Sequence, residues 1–361
     1  MLHDFVPTAI IDRAALRHNL AQVRIVAPNS KIWAVVKADA YGHGAFEISK
    51  AITPDGLAVA RFSEAQSLRA AGEQRPILIM GGVYTESDLQ AAIDLDCEIA
   101  VHNIAQAHIL KNFHTDKTIR IWLKVNTGMN RLGFAHFEAA PWLQELSHYP
   151  AIRGHPGLMT HLANADDLFD PTTTQQCQRI QAIPGANKCR LSIGNSAGLL
   201  GWEAARTDWV RPGLMLYGLS PFQDEIGAQR NLIPVMNLCA PLISVYQCKA
   251  GAAIGYSGTY VCPETMPVGV IGIGYGDGYP RHAQTGTPIL LAGQRVPLIG
   301  RVSMDMISVD LRGVPKIPPI GTEALLWGQE LPTEEIASCA NTIVYQLVTG
   351  ITNRVQRIYI N

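Results

Sequence analysis

Lys31-Ile-Trp-Ala-Val-Val-Lys37-Ala-Asp39-Ala-Tyr41-Gly-His43-Gly44 is an apolar run that ends in a lysine and a glycine-flanked turn. Read as a strand over 32–37, it carries one amine to the strand's C-terminal end, which is where a parallel barrel presents its reactive groups. Trp33, Val35 and Val36 are expected to desolvate that amine, lowering its pKa so that it can attack an aldehyde. A lysine at the point where a buried strand emerges into water has the same local pattern, so the neighbouring segments must separate the two readings.

Working outward, short β-rich apolar runs recur at 32–37, 56–59, 76–80, 98–101, 119–125, 157–160, 190–193 and 211–217. Amphipathic stretches lie between them, such as 63–71, closed by Gly72, and 85–93, where Thr85 and Asp88 have capping-box spacing. This alternation predicts βα units and a parallel sheet, with a count and length that suit either a closed (β/α)8 barrel or an open doubly wound sheet. After about residue 230 the texture changes. Half of the prolines fall there, among short strand patterns at 242–247, 268–273 and 289–291, and only 333–339 reads as helical. The expected division is therefore an α/β domain over 1–230 and a mainly β domain over 231–361.

At 361 residues, with 47% hydrophobic and 16% charged residues, the chain can bury a large core. A formal net charge of -1 offers no basic field for nucleic acid. No apolar run is long enough to span a bilayer and the start lacks a basic, then apolar, leader, so a cytoplasmic protein with neither nucleic-acid nor membrane partners is expected. The seven cysteines form no C-x-x-C pair, and their odd number argues against a full disulfide framework; reduced core thiols are expected.

Further candidates fall near the ends of predicted strands. Lys124-Val-Asn-Thr-Gly-Met-Asn-Arg131 places an arginine beyond a glycine turn, suited to a bidentate grip on a carboxylate. Met159-Thr-His161 with Asp166 has no metal-pair spacing, and no metal is expected. Gly194-Asn195-Ser196-Ala197 and Val210-Arg211-Pro-Gly213-Leu214 could offer backbone N–H groups and a hydroxyl to a phosphate. The second domain adds Gly255-Tyr256-Ser-Gly, Gly274-Tyr275-Gly-Asp and Gly300-Arg301-Val-Ser-Met304-Asp305. Each of these motifs alone is also compatible with an ordinary turn.

Together and in this order, from Val35-Val-Lys37-Ala-Asp-Ala-Tyr-Gly-His-Gly44 to Met304-Asp305, the segments resemble those of alanine racemases. The resemblance implies an N-terminal TIM-like (β/α)8 barrel, a C-terminal β domain and a pyridoxal 5′-phosphate (PLP) cofactor held by Lys37. It assigns Tyr41 and Ser196 to the cofactor phosphate, Asn195, Gly213 and Leu214 to cofactor binding, His161 to the side of the ring and Arg211 to the ring nitrogen. Arg131 and Met304 then fall to the substrate carboxylate, and Asp166, Tyr275 and Arg301 to the entrance. Lys37 and Tyr256 would move the α-proton on opposite faces, and because relatives draw the tyrosine from a second subunit, a homodimer with shared sites is implied. The lysine at the position of Lys124 is carbamylated in several relatives. The implied reaction, interconversion of L- and D-alanine, would supply peptidoglycan or serve alanine catabolism. One departure is Thr352-Asn353-Arg354 where many members have Ser-Tyr-Arg, which leaves room for a broader alanine and serine racemase. A non-catalytic PLP-binding barrel is the other alternative, and such proteins typically lack the second domain.

Overall fold

In the computed structural model, which describes residues 5–361, strand Lys31–Val35 pairs in parallel with Gly56–Val59 on one side and Trp209–Val210 on the other. Ladders continue through Ile77–Ile79 to Cys97–Val101, and from Trp209–Val210 through Leu191–Ser192 and Gly157–Met159 to Arg120–Asn126. Cys97–Val101 then pairs with Arg120–Asn126 and closes an eight-stranded parallel barrel. Gly56–Val59, Ile77–Ile79 and Cys97–Val101 are buried at every position, as expected of strands covered on both faces.

The surrounding helices start where the sequence offers caps. Asp12 accepts the N–H groups of Ala14 (2.8 Å) and Ala15 (3.0 Å) to start Arg13–Val26, which buries Ala15, Leu16, Asn19, Leu20 and Val23. Phe62–Ala70 and Glu86–Asp94 lie within one residue of the expected helices, and the Thr85 hydroxyl accepts the Asp88 N–H at 3.0 Å.

Two expected strands end differently. The first stops at Val35, so Lys37 begins a turn rather than closing the strand. The last, expected at 211–217, is not a strand there: the barrel strand is the preceding Trp209–Val210, and a short 3-10 turn follows at Leu214–Tyr217. Pro212 has no N–H to give a ladder, and Gly213 takes a non-strand conformation. The Trp33 ring stacks on Trp209 at 4.3 Å and meets Trp122 edge-on at 6.5 Å, so it packs within the barrel core.

The second domain is a sheet in the order Met266–Ile271, Ile307–Asp310, Gln294–Ile299, Pro288–Leu291, Glu323–Trp327 and Met236–Cys248. The 13-residue strand Met236–Cys248 pairs back to Met266–Ile271, and an irregularity between Leu242 and Ser244 lets it serve both partners. Strand Thr8–Asp12, which the sequence places with the barrel, joins this sheet instead, antiparallel to Met236–Cys248 and parallel to Gln356–Ile360. Helix Thr333–Cys339 forms at the expected residues, and Glu334 accepts the N–H groups of Ser220 (2.9 Å) and Gly227 (3.0 Å) from the other domain. All seven cysteines are free, and among the described residues no helix is long and apolar enough to cross a membrane.

Candidate active site

Four consecutive non-glycine residues after Lys37 adopt the left-handed region, with φ of 52° at Ala38, 53° at Asp39 and Ala40, and 54° at Tyr41. Such backbone costs roughly 1–2 kcal/mol per residue, so surrounding contacts must hold it. The buried His43 imidazole lies 2.8 Å from the Tyr41 carbonyl and 3.1 Å from that of Ala40; burial pushes its pKa down to about 4, so it stays neutral and donates from Nδ1. The second domain closes over the same turn. Arg357 Nε donates to the Gly42 carbonyl at 2.8 Å, and a Cβ on Gly42 would sit 2.0 Å from the Val348 carbonyl oxygen. The turn thereby fixes the backbone of Lys37 at the barrel mouth and turns Tyr41 inward, where its ring lies 4.8 Å from Tyr217 and 6.0 Å from Tyr345.

Around the Lys37 amine the structure gathers cations. Burial lowers its pKa, and the charges of Arg131 and Arg211 lower it further, while Glu64 alone acts in the opposite sense. Lys124, buried on strand Arg120–Asn126, is pushed down to about 8 by burial and by Arg211, Arg131 and Lys37. His161 is held well below its ordinary pKa by burial and the same four cations, and is a neutral imidazole. Lys37, Lys124, Arg131, Arg211 and His161 therefore form one group, and its surplus positive charge calls for anionic ligands.

Arg211 is 3% exposed and its orientation is over-determined. Nη1 donates to the Ser192 carbonyl (2.8 Å) and hydroxyl (2.6 Å), and Nη2 to the carbonyls of Thr160 and Ile193. All four Nη hydrogens are engaged, whereas among the described residues nothing accepts from Nε–H. Beside it, the Ser196 hydroxyl accepts the N–H groups of Gly213 (3.0 Å) and Met215 (3.2 Å), leaving its own hydrogen to donate. The Gly213 N–H is thus already taken, and among the described residues nothing accepts from the Leu214 N–H of that turn. A Cβ on Gly213 would lie 2.5 Å from the Tyr41 hydroxyl, so glycine lets Tyr41 and Ser196 share one cradle. Asn195 does not offer its carbonyl to this cradle; it accepts the Gly198 N–H at 2.9 Å and caps the helix Ser196–Gly201.

The second-domain candidates form a separate, exposed group. Tyr256 is 65% exposed and follows Gly255 (φ 68°) at the tip of a hairpin between Ala253–Ile254 and Tyr260–Val261. Arg301 donates to the Ser257 hydroxyl at 3.3 Å, tying itself to that tip. The N–H groups of Tyr275 and Gly276 donate to the carbonyls of Ser303 (3.0 Å) and Met304 (2.8 Å), which brings Tyr275 and Met304 together; both side chains are exposed. Tyr256 is not among the groups that act on Lys37 or Lys124. Asp166 is exposed, and burial, with the Asp166 charge added, pushes the Tyr345 phenol up to about 12. Asn353 stands exposed before Gln356–Ile360. Sequence reasoning missed Tyr345, about 300 residues from Tyr41 along the chain, and Glu64, whose place three residues after Arg61 at a helix start was its one local signal.

The chain matches the family models described as alanine racemase, N-terminal domain, over residues 11–221 and alanine racemase, C-terminal domain, over residues 235–359. It is 47% identical over 352 residues to an alanine racemase of Nitrosococcus oceani, covering 97% of this chain and 98% of the relative. It is 44% identical to one of Yersinia pestis, covering 98% of each. Among solved structures, the biosynthetic alanine racemase from Pseudomonas aeruginosa superposes with a TM-score of 0.95 at 37% identity, covering 99% of both chains. The alanine racemase from Acinetobacter baumannii gives 0.89 at 33%, covering 98% of this chain and 99% of that one. With both domains matched along nearly its whole length, the chain belongs to the alanine racemase family, a family of isomerases.

Proposed function

We propose that this protein interconverts L- and D-alanine with PLP as its cofactor, working as a homodimer in the cytoplasm. The observation that carries the reading is Arg211: a buried guanidinium with every Nη hydrogen engaged and its Nε–H left over at the cationic mouth. That donor fits an acceptor nitrogen on a ring, and the cation surplus fits a phosphate and a carboxylate. Bound there, PLP would supply an electron sink that acidifies the α-hydrogen of the amino acid.

The remaining roles belong to the chain's own side chains. The Lys37 amine would hold the cofactor covalently and, when free, exchange a proton with Cα on one face. The Ser196 hydroxyl, the Tyr41 phenol and the Leu214 N–H would hold the phosphate, with Gly213 giving them room, and Asn195 would act through the helix it caps. Burial lowers the Arg211 pKa only to about 10, so it keeps its proton and would donate to the ring nitrogen without protonating it. Neutral His161 would lie beside the ring. Arg131 and Met304 would hold the substrate carboxylate, with Asp166, Tyr275 and Arg301 at the entrance.

A second proton carrier is needed on the opposite face of Cα, and Tyr256 is the residue we assign. Its exposure on its own subunit supports delivery to a partner's barrel, so that one two-fold interface completes two sites. Lys124, with its amine near 8, is partly neutral at physiological pH and can add carbon dioxide with loss of a proton; the resulting carbamate would place one negative charge among Arg131 and Arg211. The free cysteines support a reducing compartment. D-Alanine so formed would serve peptidoglycan synthesis, and the reverse direction alanine catabolism. Formation of D-alanine from L-alanine with and without added PLP, followed by borohydride reduction and peptide mapping, tests the reading. A PLP-dependent activity and a pyridoxyl group on Lys37 are expected; its presence on another lysine would overturn the assignment.

A further inference from the structure

The left-handed turn behind Lys37 needs an anchor on its first peptide, and the only carboxylate among the described residues that acts on the Lys37 amine supplies one. Glu64 lies in helix Phe62–Ala70, which follows the neighbouring barrel strand Gly56–Val59. One of its oxygens accepts the Ala38 N–H at 2.7 Å; the other accepts the N–H groups of Ala60 (2.8 Å) and Arg61 (2.9 Å). A single carboxylate thus joins the turn after one strand to the loop after the next.

We propose that Glu64 is the positioning residue for Lys37: its carboxylate clamps the Ala38 peptide and so fixes where the strained turn aims the Lys37 amine. This rests on Lys37 being the cofactor lysine. The helix alone does not explain the arrangement, because the Arg61 N–H would satisfy its start and needs one oxygen only. The second oxygen is spent on Ala38. Ala38 has φ of 52°, and the Lys37 side chain is attached one residue before it. Electrostatics act in the same place. Among the described residues the charges that act on the Lys37 amine are Arg131 and Arg211, which lower its pKa, and Glu64, which opposes them; Lys37 in turn acts on Lys124 and on neutral His161. Glu64 thus both holds and tunes the lysine without touching substrate or cofactor.

The test uses the full-length protein freed of cofactor with hydroxylamine. Competitive acetylation across pH gives the midpoint for Lys37, with exposed Lys316 as internal reference. Amide exchange of the 37–44 peptide, read by mass spectrometry, reports the clamp. Glu64→Gln is expected to lower the Lys37 midpoint by about one pH unit and to speed exchange of 37–44. Glu64→Asp keeps the charge but is one methylene short, so its midpoint should stay near the wild-type value while exchange still speeds up. If Glu64→Gln does not fold, exchange in Glu64→Asp decides alone. An unmoved Lys37 midpoint in Glu64→Gln overturns the proposal, and so does a moved midpoint with unchanged exchange in that variant, since Glu64 would then be only a nearby charge. Borohydride mapping of the wild type separates this from the underlying reading: pyridoxyl on Lys37 with unresponsive Glu64 variants defeats the clamp alone, whereas pyridoxyl elsewhere defeats the site assignment and the clamp with it.

Discussion

The barrel mouth and the Tyr256 hairpin carry candidate residues of the same reaction, yet they are built in opposite ways. At the mouth, Arg211 makes four hydrogen bonds, His43 and Arg357 hold the lysine turn, and Tyr41 is packed between Tyr217 and Tyr345. At the hairpin tip Tyr256 stands exposed, and in the loop after Gln294–Ile299 Met304 is exposed and Arg301 reaches the tip through one bond of 3.3 Å to Ser257. The mouth is tied together by bonds within one chain, whereas the hairpin tip carries an exposed tyrosine. Under the proposed homodimer, exposed Tyr256, Val261, Tyr275, Met304 and Met306 of the second domain would be candidates for the surface that a second copy covers.

Single substitutions break each half differently. Lys37→Ala should have the largest effect, losing covalent attachment of PLP and reducing racemisation by about 10³-fold or more. The check is a cofactor absorbance spectrum beside a D-alanine assay, and retained turnover would remove Lys37 from the mechanism. Tyr256→Phe should lower kcat by about 10²–10⁴-fold while leaving cofactor binding and stability as they were, because the lost hydroxyl is exposed. Full activity in this variant would remove the hairpin from the chemistry.

Smaller effects sharpen the picture of the mouth. Gly213→Ala puts a methyl 2.5 Å from the Tyr41 hydroxyl, so PLP affinity should fall about 10–100-fold, measured by cofactor titration. Unchanged affinity would mean that Tyr41 and Ser196 do not share a cradle. Lys124 predicts a pH signature in stability. Its amine is lowered to about 8 in the folded protein, against 10.5 ordinarily, so between those values the unfolded chain holds more protons and stability rises with pH. Below about pH 8 the buried charge weakens the fold. Lys124→Met should therefore be more stable than wild type near pH 7 in cofactor-free urea denaturation, with the gap closing toward pH 10. A gap that does not change with pH would show that Lys124 is already neutralised at pH 7.

Much of this was legible in the sequence wherever the signal is local. Apolar runs separated by amphipathic stretches gave the alternation, and the resemblance to alanine racemases chose a closed barrel over an open sheet. The run ending at Lys37 is visible, but nothing in Ala38-Asp39-Ala40-Tyr41 signals left-handed backbone; tertiary contacts from Glu64 and Arg357, with the local bond of His43, hold it. Thr8–Asp12 escaped for a similar reason, since its partner strands begin more than 200 residues later. At the site, residue type identified Arg211 and Ser196. Which hydrogens remain free on Arg211, and that Asn195 spends its side chain on a helix cap, depend on folded neighbours.

The central claim is that the two halves meet across a two-fold interface, with the Lys37 of one subunit facing the partner subunit's Tyr256. Mixing Lys37→Ala with Tyr256→Phe protein under conditions of verified subunit exchange tests it directly. At random exchange of equal amounts, half the dimers are mixed and each holds one intact and one doubly defective site, so D-alanine formation should recover to about a quarter of the wild-type rate. Activity that stays at the level of the separate variants would show that each chain completes its own site and would contradict the account.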